Sequence, residues 1–297
     1  MEKRQFGNTD MSVSVLGFGG AEIGFEGAAQ SDVDSLLHAA LDSGLNVIDT
    51  AECYSDSEEK IGKAVAGRRQ DFYLFTKCGH SSGFGLPDWD PKMLAQSIDR
   101  SLERLQTDCV DLVQLHSCSE DLLRQGDVID ILVRAKEAGK TRYIGYSGDR
   151  TDALYAVECG IFDSLQTSVN IADQECLTLT LPKAHGRGMA VIAKRPVANV
   201  AWRSGANPPS NGYYQTYWER LQKLQYDFLT EDDAVATALR FTLSQSEVSV
   251  AIVGTKNPSR WAMNSAYANL GPLTSEELSL IRSRWAEIAL SDWVGQQ

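Results

Sequence analysis

The feature that most constrains this chain is an alternation: eight short apolar runs rich in β-formers, with longer stretches of helical spacing set between them. The runs fall at residues 15–19, 45–49, 72–76, 112–115, 143–146, 164–168, 189–193 and 248–253. Strands that alternate with helices predict βαβ units and a parallel sheet. Eight of them suit a closed barrel better than an open doubly wound sheet. Helical patterns cover residues 31–43, 91–105 and 122–138, the first and third stopped by Gly44 and Gly139. A hairpin pairing 4–6 with 11–13 around Asn8-Thr9-Asp10 should precede the barrel and plug its floor, and residues 274–288 read as one extra helix. No linker, low-complexity tract or internal repeat divides the 297 residues. The expectation is therefore an α/β fold, a single-domain (β/α)8 TIM barrel over residues 1–297, with an N-terminal β-hairpin and an extra C-terminal helix.

A formal charge of -12 argues against nucleic acid or an anionic membrane as the main partner. The first residues lack the apolar core of a signal peptide and no stretch is long enough to span a bilayer, so a cytoplasmic monomer or weak homo-oligomer is expected. Six cysteines occur without a Cys-x-x-Cys pair, and the four histidines do not lie beside them at ligand spacing. Reduced thiols and no bound metal follow.

Glycines 17, 19 and 20 after the first run fail a dinucleotide fingerprint, because Glu22 stands where its third glycine belongs. They read as a tight turn at the barrel rim, at which Gly19 lets a ligand approach the backbone closely. The strand ends are more informative. Asp49 closes the second run, Tyr54 follows in its loop, Lys77 ends the third and His116 the fourth. Barrel enzymes place their chemistry at that face, so neighbouring strands aim a carboxylate, a phenol, an ammonium and an imidazole at one place. A free phenol, with pKa near 10, is a weak acid at neutral pH. An adjacent ammonium lowers that pKa, the carboxylate keeps the ammonium charged, and the imidazole can donate a hydrogen bond to a substrate carbonyl.

With these residues the chain resembles the aldo-keto reductase superfamily along nearly its whole length. Residues 44–51, Gly-Leu-Asn-Val-Ile-Asp-Thr-Ala, followed by Tyr54, Ser57-Glu58 and Ile61-Gly62, are similar to the family's strand-two signature, and Lys77 and His116 take the remaining tetrad positions. The resemblance implies NADPH/NADP+ as cofactor and a small-molecule aldehyde or ketone as substrate. It implies that hydride passes to the carbonyl carbon while Tyr54 protonates the oxygen. It assigns Ser147 and Gln166 to the nicotinamide carboxamide, and Lys194 and Arg195 to the strand-seven end of the cofactor. The basic turn of Gly254, Thr255, Lys256, Arg260 and Asn264 falls to the adenosine end, with Arg260 on the 2′-phosphate.

Three departures stand out. Gly148 replaces the usual asparagine after Ser147, Lys194 takes the place of a stacking aromatic, and Gly254 stands where some relatives carry lysine. Phe25, Cys53, Trp89, Trp202, Tyr213, Tyr214 and Tyr217 are the candidate pocket walls. Two other readings use the same residues: a catalytically quiet NADPH-binding redox sensor or regulatory subunit, and an aldolase forming a Schiff base on Lys77.

Overall fold

In the computed structural model, which describes residues 1–296, the eight runs close on one another as parallel strands. Two antiparallel strands come first, β1 (Lys3–Gln5) and β2 (Ser12–Ser14). They keep the expected register, Arg4 opposite Val13, but each lies one residue further from the turn than expected. The barrel strands are β3 (Leu16–Gly19), β4 (Val47–Asp49), β5 (Tyr73–Cys78), β6 (Val110–His116), β7 (Thr141–Ser147), β8 (Ser164–Ser168), β9 (Ala190–Lys194) and β10 (Val248–Gly254). Each pairs with its sequence neighbour, and β10 closes against β3.

Helices fill the connections. After β3 come α1 (Ala21–Phe25) and α2 (Gln30–Asp42); after β4, α3 (Ser57–Val65); after β5, α4 (Pro91–Leu105). β6 is followed by α5 (Glu120–Gln125) and α6 (Asp127–Glu137), and β7 by α7 (Arg150–Glu158). Then come α8 (Cys176–Leu179) and α9 (Leu181–Gly186) after β8, and α10 (Gly212–Leu224) and α11 (Ala234–Leu243) after β9. Last are α12 (Pro258–Ala268) and α13 (Ser275–Ile288). The single helix expected over 122–138 is two, because Gly126 takes a φ of 90° that breaks the helix between them.

Local signals explain the boundaries. The Asp90 side chain accepts from the backbone N–H of Lys92 and Met93, Pro91 occupies the first turn, and Met93, Leu94, Ser97, Ile98, Ser101 and Leu105 form the buried stripe of α4. A capping box of Thr274 and Glu277 opens α13, which buries only Ile281, as suits an added outer helix.

The hairpin is the barrel floor. Phe6, Met11 and Val13 are fully buried against Val47, Phe75, Leu112, Ile192 and Val250, with the rings of Phe6 and Phe75 5.2 Å apart. This apolar plug fills the amino ends of the strands and leaves their carboxyl ends as the open face. Among the described residues no helix is long and apolar enough to cross a membrane.

Removing the plug's central ring tests this role. Phe6→Ala should cost about 3 to 5 kcal/mol in unfolding free energy, measured by urea denaturation. A loss below about 1 kcal/mol would mean that the hairpin is not part of the core.

Candidate active site

Parallel pairing in register brings the strand ends together: Gly19 lies opposite Asp49, Lys77 opposite Gln114, and His116 opposite Ser147. The Lys77 ammonium donates to Asp49 Oδ2 at 2.6 Å and to the carbonyl of Thr50 at 2.8 Å. Both side chains are almost wholly buried. Gln114 and Gln166 donate to the two oxygens of Asp49 at 3.3 and 3.4 Å. Burial opposes charge on Lys77, but the carboxylate prevails and holds the ammonium above its usual range. An amine kept protonated is no nucleophile, which weighs against the Schiff-base reading.

Tyr54 stands beside this pair, its ring 5.2 Å from the Lys77 nitrogen and its hydroxyl 3.5 Å from His116 Nε2. The ammonium lowers the phenol's pKa, as expected. Burial works the other way and is stronger, so the pKa is raised overall, contrary to the net lowering anticipated from the sequence. Tyr54 therefore holds its proton throughout the neutral range. His116 is pushed well below 6.5, first by burial and then by the positive charges of Lys77, Lys194 and Arg195, so its imidazole is neutral.

The Ser57-Glu58 pair of the signature fixes this rim. Ser57 Oγ donates to the carbonyl of Gly20 at 2.8 Å and lies 2.9 Å from the Thr50 hydroxyl, while buried Glu58 accepts from Thr76 at 2.6 Å. Ser147 is buried at the end of β7. The following glycine has a steric cause: a Cβ on Gly148 would lie 2.5 Å from the Tyr146 hydroxyl, which donates to the Cys118 carbonyl at 2.6 Å.

At the end of β9 the cations are engaged within the protein. Lys194 is turned onto buried Asp149 at 2.8 Å, and the two cations at residues 194 and 195 hold that carboxyl below its usual range against its burial. Arg195 donates to Ser168 at 2.8 Å, to the Tyr213 hydroxyl at 2.7 Å and to the carbonyl of Gln296 at 2.5 Å. The chain's last described residues thus lie across this end of the site. Asp149 was not among the sequence candidates, although its place two residues beyond β7 fits the strand-end rule that found the others.

The basic turn after β10 opens α12. Asn257 caps it by accepting from the N–H of Ser259, the Thr255 hydroxyl accepts from the N–H of Asn257, Arg260 is exposed in the first turn, and Asn264 is buried. Lys256 pairs with Glu26 at 2.7 Å, and Glu22 packs beside Gly254. Burial raises the Glu22 carboxyl, with Glu26 adding to the effect and Arg260 and Lys256 opposing it. This acidic pair was invisible as a partner of the turn, since 230 residues separate Glu26 from Lys256.

Of the expected pocket walls, Phe25 is exposed and meets the Tyr54 ring edge-on at 5.4 Å, and Cys53 Sγ lies 3.4 Å from His116 Nδ1. Trp89 stacks edge-on with His80, whose own ring is 5.3 Å from that of His116. Tyr213 and Tyr214 lean on each other at the start of α10. Trp202 is half-buried against the core, and Tyr217 is fully buried with its hydroxyl on Asp173 at 3.0 Å, so Tyr217 faces no open space.

A closed parallel barrel carrying a buried Asp-Lys pair, a tyrosine and a histidine at its carboxyl face is the architecture of an oxidoreductase class, and the family model for the aldo/keto reductases matches residues 15–286. The chain belongs to the aldo/keto reductase family. It is 29% identical over 301 residues to an uncharacterized oxidoreductase, YqkF, of Bacillus subtilis, covering 95% of this chain and 96% of that one. It is 31% identical over 284 residues to an L-galactose dehydrogenase of Arabidopsis thaliana, covering 90% and 88%. Among solved structures, the holo form of aldo-keto reductase AKR11C1 from Bacillus halodurans superposes with a TM-score of 0.83 at 29% identity, over 96% of each chain. Aldo/keto reductases use nicotinamide cofactors and act on small carbonyl compounds.

The depressed pKa of His116 has a consequence for stability. As pH falls below 6.5, the unfolded histidine takes up its proton before the folded one does. The stability it contributes is therefore complete above that pH and lost on going lower. Unfolding free energies at pH about 7.5 and about 5.5 should differ less in His116→Gln than in the wild type. An equal acid loss in both would assign it to other groups.

Proposed function

We propose that this protein is an NADPH-dependent reductase that converts an aldehyde or ketone to an alcohol, with Tyr54 as proton donor. The observation that carries this reading is the Tyr54 hydroxyl, set 3.5 Å from a neutral histidine and beside a buried, carboxylate-held ammonium. A bound reduced nicotinamide supplies the hydride. The chain's own residues supply the rest. His116 orients a carbonyl oxygen with a hydrogen bond, Tyr54 gives that oxygen its proton, and Lys77 stabilises the phenolate left behind. Asp49 keeps Lys77 charged and in place.

Support for the cofactor comes from an orphaned atom. The Gln166 Oε1 is buried without a hydrogen-bond partner while its Nε2 donates to Asp49, and a carboxamide N–H would satisfy it. Ser147, on the adjacent strand, is the second carboxamide contact. Arg260 and Lys256 favour the nucleotide that bears a 2′-phosphate, and Asn264 the adenine, although Lys256 must leave Glu26 to reach it.

Loss of NADPH absorbance with a panel of aldehydes, ketones and aldoses, L-galactose tested in the oxidative direction, gives the activity. Tyr54→Phe should abolish it and leave NADPH affinity within about twofold. Retained turnover would remove Tyr54 from its role. In wild type, reductive kcat/KM should fall on the alkaline side as Tyr54 loses its proton, and residual Lys77→Met activity should show that fall at higher pH, because the ammonium lowers the phenol's pKa. An unmoved limb would separate Lys77 from the phenol.

For the nucleotide, fluorescence titration should show Arg260→Ala weakening NADPH by roughly tenfold with little effect on NADH. Equal losses for both would mean that Arg260 only supports the turn.

A further inference from the structure

Two loops meet above the imidazole of His116, the group at the end of β6 that the tetrad shares. Cys53 comes from the loop after β4, His80 from the loop after β5, and His116 from the end of β6. One ligand atom from each, a thiol sulfur and two ring nitrogens, all lie within 4.8 Å of one another. Two of them, Cys53 Sγ and His116 Nδ1, are already 3.4 Å apart. Around a tetrahedral zinc ion, with bonds of about 2.3 Å to sulfur and about 2.0 to 2.1 Å to nitrogen, neighbouring ligand atoms stand about 3.3 to 3.6 Å apart. One edge of that tetrahedron is thus formed, and closing the rest takes a shift of at most about 1.5 Å at half-exposed loop residues.

The hydrogen bonds of the two rings set which nitrogen each can offer. His80 Nδ1 lies 3.1 Å from the Asp88 carboxylate, which accepts its N–H and leaves Nε2 with a free lone pair. Asp88 is itself fixed by the N–H of Ser81 at 2.7 Å, and the same loop is tied across its base by Trp89 N–H to the Gly79 carbonyl at 3.0 Å. A carboxylate that accepts from the far nitrogen of a histidine is the usual outer support of a metal-ligating imidazole. In His116 it is Nε2 that faces Tyr54, so Nδ1 is the nitrogen turned toward Cys53. Burial keeps the imidazole of His116 neutral and pushes the Cys53 thiol up to about 11, so the thiol is protonated in the metal-free protein and is not a reactive thiolate.

We infer that Cys53, His80 and His116 form a site for one zinc-class divalent cation, with one sulfur and two nitrogen ligands and a fourth position open to water. Thiolate and imidazole together select zinc over magnesium or calcium, which take oxygen donors. On binding, the thiol releases its proton and the metal–sulfur bond replaces the thiol's contact to His116. The proton on His116 is then fixed at Nε2, the nitrogen facing Tyr54.

Cobalt titration of the purified full chain tests this without cofactor or turnover, so its outcome is independent of the reductase reading. One equivalent of Co2+ should produce a thiolate-to-cobalt charge-transfer band, bleached by one equivalent of Zn2+, with about one proton released per ion. Cys53→Ser should remove the band. His80→Gln should weaken binding at least tenfold, and Asp88→Asn about ten- to a hundredfold through the lost outer support. All three replaced side chains are partly or fully exposed, so the variants should fold, as circular dichroism will show. Absence of the band in wild type would reduce the Cys53–His116 contact to a thiol–imidazole hydrogen bond and overturn the site. Its persistence in Cys53→Ser, or unchanged affinity in His80→Gln, would place the ion elsewhere and overturn it equally.

Discussion

The ion pair between Lys77 and Asp49 governs how the open face of this barrel is built. Two charges taken from water at adjacent strand ends incur a large desolvation penalty, which their mutual attraction offsets only when the geometry is close and the remaining lone pairs are satisfied. Here the contact is 2.6 Å, and Thr50, Gln114 and Gln166 supply the additional hydrogen bonds. Asp49 ends β4 and Thr50 follows it, Lys77 is the next-to-last residue of β5, and Gln114 and Gln166 lie two residues short of the ends of β6 and β8, so the pair can form only if these four strands are in register around the closed barrel. The apolar plug at the opposite end contributes the burial that such an arrangement requires.

Electrostatics at the mouth run against the charge of the whole chain. The protein carries a formal charge of -12, yet Lys77, Lys194 and Arg195 converge on the neutral imidazole of His116. Each of these cations has a carboxylate or carbonyl partner. The local field favours a developing negative charge on an oxygen near Tyr54 without leaving an unpaired charge in a dry interior. At the basic turn the order is reversed: Glu22 and Glu26 crowd it, and an anionic ligand there has to displace Glu26 from Lys256.

Gly148 and Lys194 shared the appearance of defects in the family pattern and have different causes. A side chain at 148 has no room beside Tyr146. Lys194 answers Asp149, a partner 45 residues earlier, just beyond a strand two places around the barrel. One departure is steric, the other a compensated exchange of an aromatic contact for an ion pair.

The alternation of apolar runs and helical spacing was enough to read the barrel, the hairpin register and the placement of Asp49, Tyr54, Lys77 and His116 at the open face, because strand periodicity and the carboxyl-end rule depend on residues close in sequence. Gly126 escaped that reading: an apolar stripe continues across it, and only its backbone angle divides α5 from α6. The burial that raises Tyr54, the turning of Tyr217 into the core, the acidic pair on the basic turn and the meeting of Cys53, His80 and His116 were equally out of reach. Each is a relation between residues on different loops, and a chain's local pattern carries no information about how far apart two loops lie until the strands beneath them have closed. Thus the sequence alone determined which groups reach the open face, and the tertiary structure decided their partners, their protonation and which of them remain accessible, since solvation and contact are set by what surrounds a side chain and not by its neighbours along the chain.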